Sequence, residues 1–142
     1  MKSRLPQYDF PLSVVQDEPL RMVNMTDVVL TASGTATLVV GLLQKAMVVM
    51  YKMNPMSAWL ARKIVKGVNR FAMVKLIMNR DVVPEYFQEE ASPEVLSEVL
   101  SSWISNPDRL EKVSTDLGNL HTELGQTGAT ARVADELEEY LV

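Results

Sequence analysis

The chain has 142 residues, 47% of them hydrophobic, and a formal net charge of −4, which suits one folded domain and excludes a disordered chain. It has no cysteine and a single histidine, His121. That excludes a disulfide scaffold, a cysteine nucleophile, a thiolate metal site and a catalytic triad on any other histidine.

Taken in order, Met1 to Phe10 carries Lys2, Arg4, Pro6 and Asp9 with no apolar stretch behind them, unlike a signal peptide. Leu12 to Val15, after Pro11, is expected to be a short strand. Pro19 opens a short helix over Leu20 to Met25. Val28-Val29-Leu30 is a β-branched run suited to a buried strand, followed by a turn from Thr31 to Thr35 and a helix from Ala36 to Gln44. The longest uncharged run, Val28 to Gln44, includes Thr31, Ser33, Gly34 and Gly41, so it is too short and too polar to span a bilayer. Ala46 to Tyr51 reads as a second buried strand. Pro55 sits in the first turn of a helix that runs to about Lys66, and Gly67 stops it. Phe71 to Ile77 is apolar and fits strand or turn.

From residue 84 onward the chain is expected to be helical. Ser92-Pro93-Glu94 and Asn106-Pro107 are helix starts, with Ser92 as N-cap. They open helices to about Ser105 and about Leu124. Gly125 and Gly128 precede a last helix, Ala129 to Leu141. Strands separated by helices imply βαβ units, and apolar strands without alternation fit a parallel sheet covered on both faces. The fold class expected is therefore α/β: a partial Rossmann-like parallel sheet, with all strands in the first half, followed by C-terminal helices. It resembles the second half of a doubly wound domain.

Charge is unevenly spread. Val28 to Arg80 contains no acid and eight basic residues, whereas Asp81 to Val142 contains fourteen acidic and three basic residues. The basic block suits an anionic partner such as a phosphate, nucleotide or lipid headgroup, or it simply balances the acidic tail.

The sharpest local signal is the unit Val28 to Thr37. A helix that starts at the carboxyl end of a parallel strand offers unpaired N–H groups and a positive dipole end. Gly34 lets a phosphate approach the backbone, and Ser33, Thr35 and Thr37 add hydroxyls, which makes an anion cradle. No Gly-Lys-Ser/Thr or GxGxxG accompanies it. The alternative is a plain helix start with small residues for close packing.

The run TASGTATL (Thr31 to Leu38) resembles the signature of the lipid-A-disaccharide synthase family, glycosyltransferases of the GT-B type. The resemblance continues through Met47 to Val68 and Phe71 to Glu94, in order and without a large gap. It implies transfer of 2,3-diacylglucosamine from UDP to 2,3-diacylglucosamine 1-phosphate in lipid A biosynthesis. On this resemblance Ser33, Gly34, Thr35 and Thr37 stand at the nucleotide-diphosphate turn, and Arg80 and Gln88 match polar positions near it. An arginine fork suits a diphosphate. The alternatives are an ion pair of Arg80 with Asp81 or Glu85, and a helix-end role for Gln88. Two positions depart from the family pattern. Val39 stands where Glu is usual, so a ribose contact is expected to be lost. Lys75 stands where Asn is usual and offers phosphate a flexible point charge.

The resemblance implies residues 1–91 as a βαβ nucleotide-diphosphate-binding half-domain and 92–142 as a helical segment. The acceptor half of such an enzyme is not represented, so no catalytic residue is expected here, and the isolated chain is expected to be inactive. Alternative readings are a truncated remnant that keeps nucleotide or partner binding, and part of a UDP-sugar epimerase. No cofactor or metal is expected. The partners implied are the two acylated glucosamine substrates, the missing half or a second copy, and no nucleic acid. Met53, Met56, Trp59, Leu60, Ile64 and Val65 with Arg62, Lys63, Lys66 and Arg70 form either an interfacial helix or a helix packed on the sheet. With that helix, the family implies a cytoplasmic location, peripheral to the inner membrane of a Gram-negative bacterium. His121, among leucines, is expected to have no chemical role.

Overall fold

The computed structural model describes residues 10–16, 18–32, 34–54, 72–125 and 127–140. The helix expected from Pro55, with its basic and methionine-rich face, lies outside them, as does Ser33.

Helix α1 (Pro19–Asn24) leads to strand β1 (Val28–Ala32), helix α2 (Thr35–Leu42) and strand β2 (Ala46–Tyr51). Helix α3 (Met73–Met78) precedes strand β3 (Glu85–Phe87). Helices α4 (Pro93–Ile104), α5 (Pro107–Gly118), α6 (Leu120–Leu124) and α7 (Ala129–Tyr140) follow. The sheet has the order β1-β2-β3 and is parallel throughout. Val28 pairs with Ala46, and Val49 with Glu85.

Strand β2 is central, and its alternation explains its unbroken hydrophobicity. Met47, Val49 and Tyr51 face one layer, with Val40 of α2, Val74 of α3, and Leu117 and Leu120 of the C-terminal helices. Val48 faces the other layer, with Ala91 and Leu96 and with Tyr86 and Leu100 packed beside them. Each face of β2 is covered, so each of its residues must be apolar. Gly41 marks where α2 meets its neighbours: a Cβ there would lie 2.9 Å from Leu120 Cδ2 and 3.2 Å from Val74 Cγ2. A methyl group there would require the Leu120 and Val74 side chains to give way.

Four sequence expectations are corrected. Leu12 to Val15 is not a strand; these residues pair with no described neighbour, and Leu12 and Val15 are about half exposed. The described part of the Phe71 to Ile77 run is helix α3 from Met73 and neither strand nor turn, packed with Val74 against the layer that covers β2. Asn79, left-handed at φ 48°, ends it. Glu85–Phe87 is a strand in what was expected to be helical chain, so the strands are not confined to the first half. Three residues are too few for a pattern to show. The helix expected from Pro107 to Leu124 is two helices, separated at Gly118-Asn119, where two weak helix formers adjoin. The starts at Ser92 and Asn106 stand as expected, each side chain accepting from the backbone N–H three residues on.

Candidate functional site: the carboxyl rim of the sheet

The β1–α2 turn ends β1 at the rim where parallel sheets place ligands. Ala32 pairs with Met50 and Tyr51 with Phe87. The turn, the segment after β2 and the residues after β3 therefore share one edge of the sheet.

Gly34 adopts φ 97° and ψ −149°, a conformation that L side chains rarely take. A Cβ there would meet nothing within 4 Å, so the requirement for glycine is conformational and the space beside it is open. Among the described residues no side chain caps α2. Thr35 is exposed in its first turn, and its hydroxyl has no partner among the described residues. Thr37 differs: it is fully buried, and its hydroxyl donates to the Gly34 carbonyl at 2.8 Å. It fixes the turn from beneath. Val39 is exposed and lies one helical turn beyond Thr35, on the same face.

Gln88 is buried, at φ 55°. Its Oε1 accepts from the Met53 N–H at 2.9 Å and its Nε2 donates to the Met53 carbonyl at 3.0 Å. This amide-to-backbone pair clamps the exit of β2 to the exit of β3. Lys52, Met53, Gln88 and Glu89 line a hollow of about 300 Å³ there. Lys52 and Glu89 were not singled out from sequence, although Lys52 directly follows β2 and Glu89 comes two residues after β3, so that both fall on this rim.

Arg80 lies elsewhere. It comes before β3, at the amino edge of the sheet, and donates to Asp116 Oδ1 at 3.2 Å and to the Asp116 carbonyl at 2.8 Å. The structure does not bring it to the turn. Its acid partner is Asp116, while Asp81 and Glu85 pair with Lys75. Lys75 is buried, 2.8 Å from Asp81 Oδ1 and 3.1 Å from Glu85 Oε2. It is a fixed internal cation and not the flexible point charge expected. Thus two cations of the basic block are matched by acids of the tail. His121 Nε2 lies 3.1 Å from the Leu42 carbonyl, joining α6 to the end of α2.

The carboxyl of Glu94 is held below its ordinary range by its own backbone N–H, then by the Ser92 hydroxyl, with a smaller contribution from the Lys52 charge. Among the described residues no group of three or more His, Asp or Glu side chains is placed to hold a metal ion, and no helix is long and apolar enough to cross a membrane.

The model of the family described as lipid-A-disaccharide synthetase matches residues 2–137. The chain is 35% identical over 130 residues to a lipid-A-disaccharide synthase of Neisseria meningitidis, covering 91% of this chain and 33% of that protein. It is 38% identical over 116 residues to one of Xanthomonas campestris, covering 81% of this chain and 26% of that protein. With one of Gloeothece citriformis it shares 30% over 142 residues, or 99% of this chain and 37% of that protein. The chain therefore spans about a third of the length of the curated relatives it matches. Its match to the family model over nearly its whole length, on a parallel α/β sheet, shows that the chain belongs to the lipid-A-disaccharide synthetase family of glycosyltransferases.

Proposed function

We propose that this chain forms the UDP-sugar-binding side of a lipid-A-disaccharide synthase. The reaction is transfer of 2,3-diacylglucosamine from UDP to 2,3-diacylglucosamine 1-phosphate. The observation that carries the reading is the Gly34–Thr35 turn, open and uncapped by any described side chain at the carboxyl end of β1, in a chain of this family. Helix-terminal N–H groups there would receive the diphosphate, with Ser33 and the Thr35 hydroxyl beside them. Thr37 would hold the turn and Gln88 the adjoining rim. Residues 1–91 would carry this site, and 92–142 would buttress the sheet.

The donor side alone does not hold both substrates in line, and that alignment supplies much of the barrier reduction in group transfer. The chain by itself is accordingly proposed to bind without catalysing. The acceptor side of the enzyme would complete the site, and the acylated substrates would be met at the inner membrane. A second reading, a remnant that retains nucleotide binding only, is favoured by Val39, which offers no acceptor on the face it shares with Thr35.

The test is backbone amide NMR with added UDP. The reading expects the Gly34 and Thr35 resonances to shift saturably, while the Arg80 amide stays still. Shifts confined to residues remote from the turn would refute it.

A further inference from the structure

A second cavity, of about 510 Å³, lies at the opposite, amino edge of the sheet, between the Val82–Pro84 segment and helices α4 and α5. Its size is that of a small-molecule site. Its walls combine an apolar part, the Val82–Pro84 segment and Val113, with the indole of Trp103 and five charged groups, the cations Lys75, Arg109 and Lys112 and the carboxylates Asp81 and Asp116.

The charges do not cancel. Asp81 shares Lys75 with the buried Glu85, and Asp116 is engaged by Arg80, so that with Arg109 and Lys112 the group keeps one positive charge in excess. Arg109 and Lys112, one turn apart on α5, have no carboxylate partner among the described residues. The Arg109 guanidinium lies over the Trp103 ring, 5.1 Å from its centroid. That contact orients the cation without neutralising it. Trp103 is 1% exposed, and its Nε1–H has no acceptor among the described residues. A buried indole N–H normally finds one. Two unmatched cations and one unmatched donor, gathered around an apolar wall, share a requirement for an oxyanion on an apolar body.

We propose that this cavity binds a small organic phosphate, with Arg109 and Lys112 holding the oxyanion beside the Trp103 indole and the Val82–Pro84 wall receiving the carbon chain. The arginine fork suits two phosphate oxygens at once, and Lys112 supplies the second charge. Arg109 is exposed, so it can tilt from the ring as the phosphate enters and open the indole N–H to it. The site is separate from the β1–α2 turn, at the other end of the strands.

The indole resonance of Trp103 reports occupancy directly, once the other tryptophan is removed by Trp59→Phe. Hexyl phosphate, inorganic phosphate and 1-hexanol are titrated into the full chain. Hexyl phosphate is expected to shift the Trp103 indole N–H saturably. Inorganic phosphate, which lacks the chain, is expected to do so several-fold more weakly, and neutral hexanol not at all. Lys112→Ala, an exposed change that leaves the core intact, is expected to weaken hexyl phosphate by about fivefold, as loss of one solvent-exposed ion pair does. Equal response to hexanol, or unchanged affinity in Lys112→Ala, would overturn the assignment. Equal affinity for inorganic phosphate would overturn the role of the apolar wall.

Discussion

Lys75 and Glu85 form a buried ion pair between α3 and β3, Nζ to Oε2 at 3.1 Å, with the two side chains 7% and 8% exposed. Glu85 also accepts from the Ala72 N–H with Oε1, so one carboxylate receives the start of α3 and its lysine together. Lys75→Met removes the buried cation that faces Glu85 Oε2. Loss of one partner of such a pair is expected to destabilise by about 3–5 kcal/mol. Asp81→Asn removes the other partner of the same lysine, but Asp81 is 66% exposed, so a loss of only about 0–1 kcal/mol is expected. Urea denaturation of the two variants checks the contrast.

The Gln88 clamp predicts a local effect. Gln88→Ala removes two hydrogen bonds to Met53, each contributing about 0.5–1.5 kcal/mol. Hydrogen exchange at the Met53 amide should accelerate by about tenfold or more, while exchange at Val48, inside β2, stays near the wild-type rate.

The sequence made β2, the β1–α2 unit and the two capped, Pro-opened helices α4 and α5 legible, because each carries a strong local mark. Ala46 to Tyr51 is continuously apolar, and Ser92 and Asn106 precede proline. Strand β3 and helix α3 were not legible. Their character is set by contacts with β2 and by the Lys75–Glu85 pair, which no local pattern displays. The site was legible in part. The turn at Gly34 is marked by its own residues. The places of Arg80 and Gln88 depend on which edge of the sheet the chain has reached, and a missed strand hides that. Gln88 in particular bonds a residue thirty-five positions away.

Strand β1 predicts association. Among the described residues it pairs on one side only, and Leu30 is 42% exposed upon it. An open strand edge is a template for another chain. Light scattering on the purified chain should show species larger than a monomer, and Leu30→Lys should shift them toward monomer. A monomer in both proteins would contradict this.

Glu94 predicts a pH dependence at the start of α4. Its folded-state pKa is lowered, so the stabilisation is present above the unfolded value and is lost as pH falls through the folded value. The melting temperature of wild type should exceed that of Glu94→Gln at pH 7. The gap should shrink as the pH is taken down below the ordinary carboxylate range.

Titration calorimetry with UDP and with pyrophosphate, on wild type and Val39→Glu, tests the proposed nucleotide site most directly. Val39 is exposed on the face it shares with Thr35, so a carboxylate there would stand beside the turn and accept from ribose hydroxyls. Wild type is expected to bind UDP weakly, with Kd on the order of 1 mM. Val39→Glu should tighten UDP by about three- to tenfold, the worth of one hydrogen bond, and leave pyrophosphate unchanged. No heat with UDP in either protein, or a Val39→Glu variant whose UDP affinity equals wild type, would contradict a nucleotide site at this turn.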